Sequence, residues 1–109
     1  MKRFTERAIT IIKDIPTGKV MTYGQIAGSA GSPRGARQVV RILHSMSRKH
    51  HLPWHRVINS KGEIGFQDED QFLLQKKLLE EEGVVFSGKD RIELKKYQHT
   101  PAVPLEEYE

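Results

Sequence analysis

Turn-forming residues cut the first fifty positions into pieces that only short helices can occupy. Phe4, Ala8, Ile11, Ile12 and Ile15 recur at helical spacing until Pro16 stops the run. Pro16-Thr17-Gly18-Lys19 is turn chemistry. Thr22-Tyr23-Gly24-Gln25 has the form of a capping box, with Thr22 as N-cap and Gln25 at the third helical position. Gly28 and Gly31 keep the helix it opens short. Ser32-Pro33 is then expected to start another helix, with Ser32 as N-cap and Pro33 at the first position, where a missing N–H costs nothing. Ala36, Val39, Val40 and Leu43 would give that helix its apolar face, while Arg34, Arg37, Gln38 and Arg41 populate the others. Two helices joined by a short glycine-containing turn, the second rich in arginine, match helix-turn-helix grammar. They match an ordinary core hairpin on a basic surface equally well.

Downstream, Leu52-Pro53-Trp54-His55-Arg56-Val57-Ile58 is apolar and β-leaning, and Asn59-Ser60-Lys61-Gly62 turns the chain back through Ile64. A last helix is expected from Asp70 to Glu82, with Phe72, Leu74, Leu78 and Leu79 inward and Gly83 just past its end. Val84-Val85-Phe86 with Ile92 and Leu94 is expected to pair as a short hairpin. The fold class is therefore mainly α with a short β hairpin. With no repeat or linker, residues 1–100 are expected to form a single domain and 101–109 a loose tail.

Composition excludes several chemistries. The 109 residues include no cysteine, which removes disulfides, Cys-ligated zinc, iron–sulfur clusters and thiol nucleophiles. No apolar run approaches the roughly 20 residues a membrane helix needs, and the N-terminus has no secretory signal pattern, so a soluble cytoplasmic protein is expected. Charge is unevenly divided. Residues 1–56 carry eleven basic and two acidic side chains, whereas the remainder carries seven basic and twelve acidic ones. A basic half of +9 attracts phosphates, though a chance asymmetry of a solvated surface would look similar. His44, His50, His51 and His55 are dense but match no metal-ligand spacing, so neither a metal nor a cofactor is expected. There is no G-x-S-x-G elbow, Walker loop or G-x-G-x-x-G.

Pro53-Trp54-His55-Arg56-Val57 resembles the Pro-Cys-His-Arg-Val active-site motif of O6-alkylguanine-DNA alkyltransferases, with tryptophan where the acceptor cysteine stands. The likeness extends in order and spacing through Ile15-Pro16-x-Gly18-Lys19-Val20, Thr22-Tyr23-Gly24-Gln25-Ile26-Ala27 and Ala36-Arg37-Gln38-Val39. It continues through Asn59-Ser60-x-Gly62 and Lys77-Leu78-Leu79-x-x-Glu82-Gly83. Tryptophan in place of cysteine is similar to the alkyltransferase-like branch, which is not enzymatic.

The resemblance implies a winged-helix-like helix-turn-helix domain of the alkyltransferase C-terminal type, entering the minor groove of duplex DNA that contains O6-alkylguanine. The damaged base would be flipped into a lesion pocket formed by Trp54, Tyr23, His55 and Glu82. Arg37 corresponds to the arginine finger that fills the vacated stack, and a planar guanidinium suits that task. Tyr23 corresponds to the tyrosine that crowds the target phosphate, and Thr22, Arg34, Gln38 and Arg41 join the DNA-binding set. His55 and Glu82 correspond to the pair that draws a proton from the thiol. With no thiol here they would only support the pocket, with Pro53, Arg56 and Asn59 holding the loop. The implied partners are nucleotide excision repair proteins that take over the lesion, and the implied state is a monomer.

Two places depart from the family pattern. Met46 and Ser47 stand near an expected asparagine on the turn after the recognition helix. Glu63-Ile64-Gly65-Phe66-Gln67-Asp68 replaces a tyrosine- and glycine-rich loop and would form a wider pocket lip. The rival readings are a regulator that reads sequence, and an enzyme with residual His55/Glu82 chemistry.

Overall fold

Helices carry most of the chain from Phe4 to His50. The computed structural model describes residues 3–101, so the expected tail, apart from Pro101, lies outside the described residues. The element order is α1 (Phe4–Lys13), β1 (Met21–Thr22), α2 (Tyr23–Ser29), α3 (Ala36–His50), a 3-10 turn (Trp54–Arg56), β2 (Val57–Ile58), α4 (Glu69–Glu81) and α5 (Leu94–Tyr97). The Thr22 capping box forms: its hydroxyl accepts from the Gln25 N–H at 3.0 Å, and Gln25 Oε1 accepts from the Thr22 N–H at 3.2 Å.

β1 and β2 run parallel, with Met21 opposite Val57 and Thr22 opposite Ile58. The two-residue period of a strand sends Met21 and Val57 to one side and Val20 and Ile58 to the other. This short pair therefore separates two apolar clusters. The first gathers α1, α2 and α3 through residues such as Ala8, Ile12, Ile26, Ala27, Val39 and Ile42. The second gathers Ile64, Leu79, Val84, Ile92 and Tyr97.

Several expectations are corrected. α3 starts at Ala36, not at Ser32: the Gly35 N–H bonds back to the Ser32 carbonyl at 2.8 Å and closes a turn over Pro33-Arg34. Proline's fixed φ serves the second position of a turn as well as the first position of a helix, and here the turn wins. Packing requires the glycine that follows. A Cβ on Gly35 would sit 3.0 Å from the Phe4 ring and 3.1 Å from the Ser32 carbonyl. α3 buries Val39 and Ile42, whereas Val40 is 46% exposed, one residue off the buried stripe. Met46 and Ser47 lie inside α3, and the chain turns at His51, a non-glycine residue with φ of 54°.

On α4 the buried stripe runs through Phe72, Gln75 and Leu79, while Leu74 faces out. Gly83, with φ of 95°, takes the left-handed position past the helix end, as its placement in the sequence requires. The hairpin over 84–86 and 92–94 does not form. Ile92 instead donates to the Gly62 carbonyl, the Ile64 N–H bonds to Asp90, and Leu94 enters α5. Val84 contributes its side chain to the second cluster without strand pairing, and Val85 is exposed.

Candidate nucleic-acid interface

The turn at Ser32–Gly35 sets α2 against α3 and leaves the outer side of α3 to solvent. Arg37, Gln38 and Arg41 are exposed there, Arg34 is exposed on the turn just before it, and none of the three arginines forms an ion pair with a described residue. Positions 37, 41, 44 and 48 recur at steps of four, three and four, so Arg37, Arg41, His44 and Arg48 form one stripe along the helix. Thr22 is buried, with its hydroxyl committed to the cap, and so its effect is to fix the entry of α2. Tyr23, the first residue of α2, is half-buried, and burial pushes its phenol up from the ordinary value of 10.0.

Tyr23 and Trp54 meet at a cavity of about 890 Å³ between α2, α3 and the Leu52–Gln71 segment. Phe66 stands edge-on to the Trp54 ring, 6.0 Å between centroids and 83° between planes, and His55 meets it at 6.1 Å and 85°. The 63–68 loop therefore supplies an aromatic lip through Phe66. His55 and Glu82, expected with Tyr23 and Trp54 in one pocket, are placed behind Trp54 and do not line the cavity.

Behind the tryptophan, Glu82 is a junction. Its carboxylate accepts from His55 Nε2 at 2.7 Å, Arg56 Nη2 at 2.8 Å and the Gly18 N–H at 2.8 Å. Arg56 Nε reaches both carboxylate oxygens, at 3.0 and 3.1 Å, while Nη1 donates to the Ile15 carbonyl at 2.9 Å. One ion pair thus joins the end of α4, the 3-10 turn and the loop after α1. Burial alone would raise the Glu82 carboxyl, but the Arg56 guanidinium, the Gly18 N–H and His55 outweigh it and hold it at about 2. A carboxylate in this state accepts hydrogen bonds and does not exchange a proton near neutrality. Asn59 Oδ1 accepts from the Lys61 and Glu63 N–H groups, both at 2.9 Å, and sets the turn that follows β2.

Sequence reasoning missed Gln75. It is 2% exposed, and its amide donates to the His55 and Val57 carbonyls, both at 3.0 Å. It therefore fixes the backbone on either side of Arg56. A polar residue in the middle of the 72-75-79 apolar stripe was the available signal. Gln75→Ala leaves two backbone acceptors without their partner, which costs about 1–3 kcal/mol. Thermal melting should show a drop of several degrees, and an unchanged midpoint would count against this role. Among the described residues no group of three or more His, Asp or Glu could hold a metal ion.

The sequence model of the 6-O-methylguanine DNA methyltransferase DNA-binding domain matches residues 3–84. A DNA base-flipping protein of Escherichia coli is 43% identical over 95 residues, spanning 87% of this chain and 73% of that protein. Alkyltransferase-like protein 1 of Schizosaccharomyces pombe is 39% identical over 109 residues, spanning 93% of this chain and 98% of that one. The S. pombe Atl1 structure with damaged DNA containing O6-carboxymethylguanine is similar with a TM-score of 0.81 at 38% identity, covering 93% of this chain and 100% of that chain. The structure of Mycobacterium tuberculosis OGT in complex with DNA matches at a TM-score of 0.55 and 27% identity, over 75% of this chain and 50% of that one.

Proposed function

Because the chain belongs to the family of the 6-O-methylguanine DNA methyltransferase DNA-binding domain, we propose that it senses O6-alkylguanine in duplex DNA by flipping the base into the cavity beside Trp54. It binds the lesion and does not repair it. The observation that carries this reading is the residue at the cavity wall: Trp54 stands where the motif has its acceptor cysteine, and no cysteine exists elsewhere in the chain. An indole offers a π-face for a base to lie against and no sulfur to accept an alkyl group. His55 and Glu82 keep their mutual hydrogen bond, but with no thiol to deprotonate the pair serves as support.

Exposed Arg34 and Arg41, near the N-terminal end of α3, supply phosphate contacts, and Arg37 fills the stack that the flipped base leaves. Flipping costs a few kcal/mol, and less for a base that already pairs poorly, so damage lowers the barrier to capture. The protein acts as a monomer and passes the marked site to nucleotide excision repair. What supports that handover is Trp54 at the acceptor position: a lesion held there keeps its alkyl group and needs another activity to remove it.

The test uses duplexes that differ in a single O6-methylguanine. The damaged duplex should bind at least about tenfold tighter, a step of roughly 1.4 kcal/mol. Afterwards the protein mass and the nucleoside composition should both be unchanged. Affinity for either duplex should fall steeply between low and moderate salt, as several phosphates are neutralised. Equal binding to both duplexes would remove the sensor reading. An alkyl group gained by the protein or lost from the DNA would make it an enzyme.

A further inference from the structure

The cavity lining joins two kinds of side chain. Tyr23, Trp54 and Phe66 are its aromatic residues. His44, Arg48 and His51, from the last two turns of α3 and its cap, line it as well. Ligand cavities run from about 300 to 1,000 Å³, and at about 890 Å³ this one exceeds what a guanine with a single methyl group would fill. The Arg48 guanidinium belongs to the same lining.

Arg48 is exposed and forms no ion pair with a described residue. One carboxylate, Asp68, also lines the cavity, but its Oδ1 already accepts from the Asp70 and Gln71 N–H groups, at 2.8 and 3.3 Å, as the N-cap of α4. Its charge is held by the positive end of that helix. The guanidinium is thus left available to an anion entering the cavity, with two imidazoles beside it. Resting on the reading of the cavity as the lesion pocket, we propose that Arg48 is a specificity-determining residue that makes the pocket favour O6 substituents ending in a carboxylate over neutral ones of the same shape. His44 and His51 flank the acid group as further N–H donors, while the base stays against the aromatic residues. A charge-assisted bond from a planar guanidinium to a carboxylate is stronger than the same bond to a neutral amide, and that difference supplies the preference.

Four duplexes test this at fixed salt and pH: undamaged, O6-methylguanine, O6-carbamoylmethylguanine and O6-carboxymethylguanine. The last two differ only in an amide against a carboxylate. The protein should bind the carboxymethyl duplex about five- to twentyfold tighter than the carbamoylmethyl one. In Arg48→Gln that ratio should fall to about one, with the thermal midpoint close to the parent's because the position is exposed. Equal affinities for the two bulky adducts, with methylated DNA still preferred over undamaged, overturn this proposal alone. A uniform loss on all four duplexes in Arg48→Gln makes the residue a phosphate contact and overturns it as well. No preference for any damaged duplex over undamaged DNA removes the lesion-pocket reading, and this proposal with it.

Discussion

Glu82→Ala should be among the most destabilising single substitutions available in this chain. It deletes the acceptor of three residues in two separate segments at once and leaves the Arg56 guanidinium, 17% exposed, without its counter-charge. Removing one partner of a buried ion pair costs about 3–5 kcal/mol, and the partial exposure here places the cost near the lower end. For a domain of this size a loss of about 3 kcal/mol lowers the melting temperature by more than about 10 °C. The same carboxyl gives the acid limb of stability. Its folded value of about 2 lies below the ordinary 4.5, so its contribution is complete above pH 4.5 and is lost as pH falls toward 2. Across that window the melting temperature should fall more with pH for the parent than for Glu82→Ala. Matching pH profiles in the two proteins would show that Glu82 is not the group responsible.

Trp54→Ala should produce the largest change in recognition. Stacking of a base on an aromatic ring is worth about 1–3 kcal/mol, which corresponds to roughly a five- to 150-fold loss of affinity for damaged duplex. Undamaged duplex, which on the proposed reading is held by phosphate contacts away from Trp54, should lose little. Trp54 lies outside the Glu82 junction, so the fold survives its removal at the cost of two edge-on contacts, with Phe66 and His55. Those are worth about 0.5–1.5 kcal/mol each. Arg37→Ala should also weaken lesion binding, by about tenfold, but with a different signature. If Arg37 fills the vacated stack as proposed, its loss should penalise all adducts alike, whereas loss of the indole should blur discrimination among them. A lesion-to-undamaged ratio that survives Trp54→Ala would show that the base does not rest on this ring.

The parts of this protein that were legible in sequence are those set by neighbours along the chain. The Thr22–Gln25 capping box, the stop after α1 and the glycine past α4 depend on local backbone chemistry, and each forms where the residues place it. The substitution at position 54 was equally legible, because a motif with one altered residue names its own departure. What failed was competition between local uses of the same residue. Ser32-Pro33 fits a helix start and a turn, and only the close approach of Phe4 to Gly35 decides for the turn. The partner of Ile92 was unreadable for a related reason. Residues 84–86 and 62–64 both offer an extended neighbour, and the tertiary arrangement selects the latter. The convergence of Gly18, Arg56 and Glu82 spans 64 positions and leaves no periodic trace. Gln75 left a faint one, a polar residue on an apolar stripe.

Trp54 is the single tryptophan of the chain, and it stands in the cavity wall. All indole emission from this protein therefore originates at one known place, with no background from elsewhere in the fold. A nucleobase laid against that ring alters its fluorescence directly, without a label on protein or DNA. Arrival on the duplex and entry of the base can then be followed as two events in time, one by the slowing of rotational tumbling and the other by quenching. The residue that takes the place of the reactive sulfur also provides an optical clock for base capture.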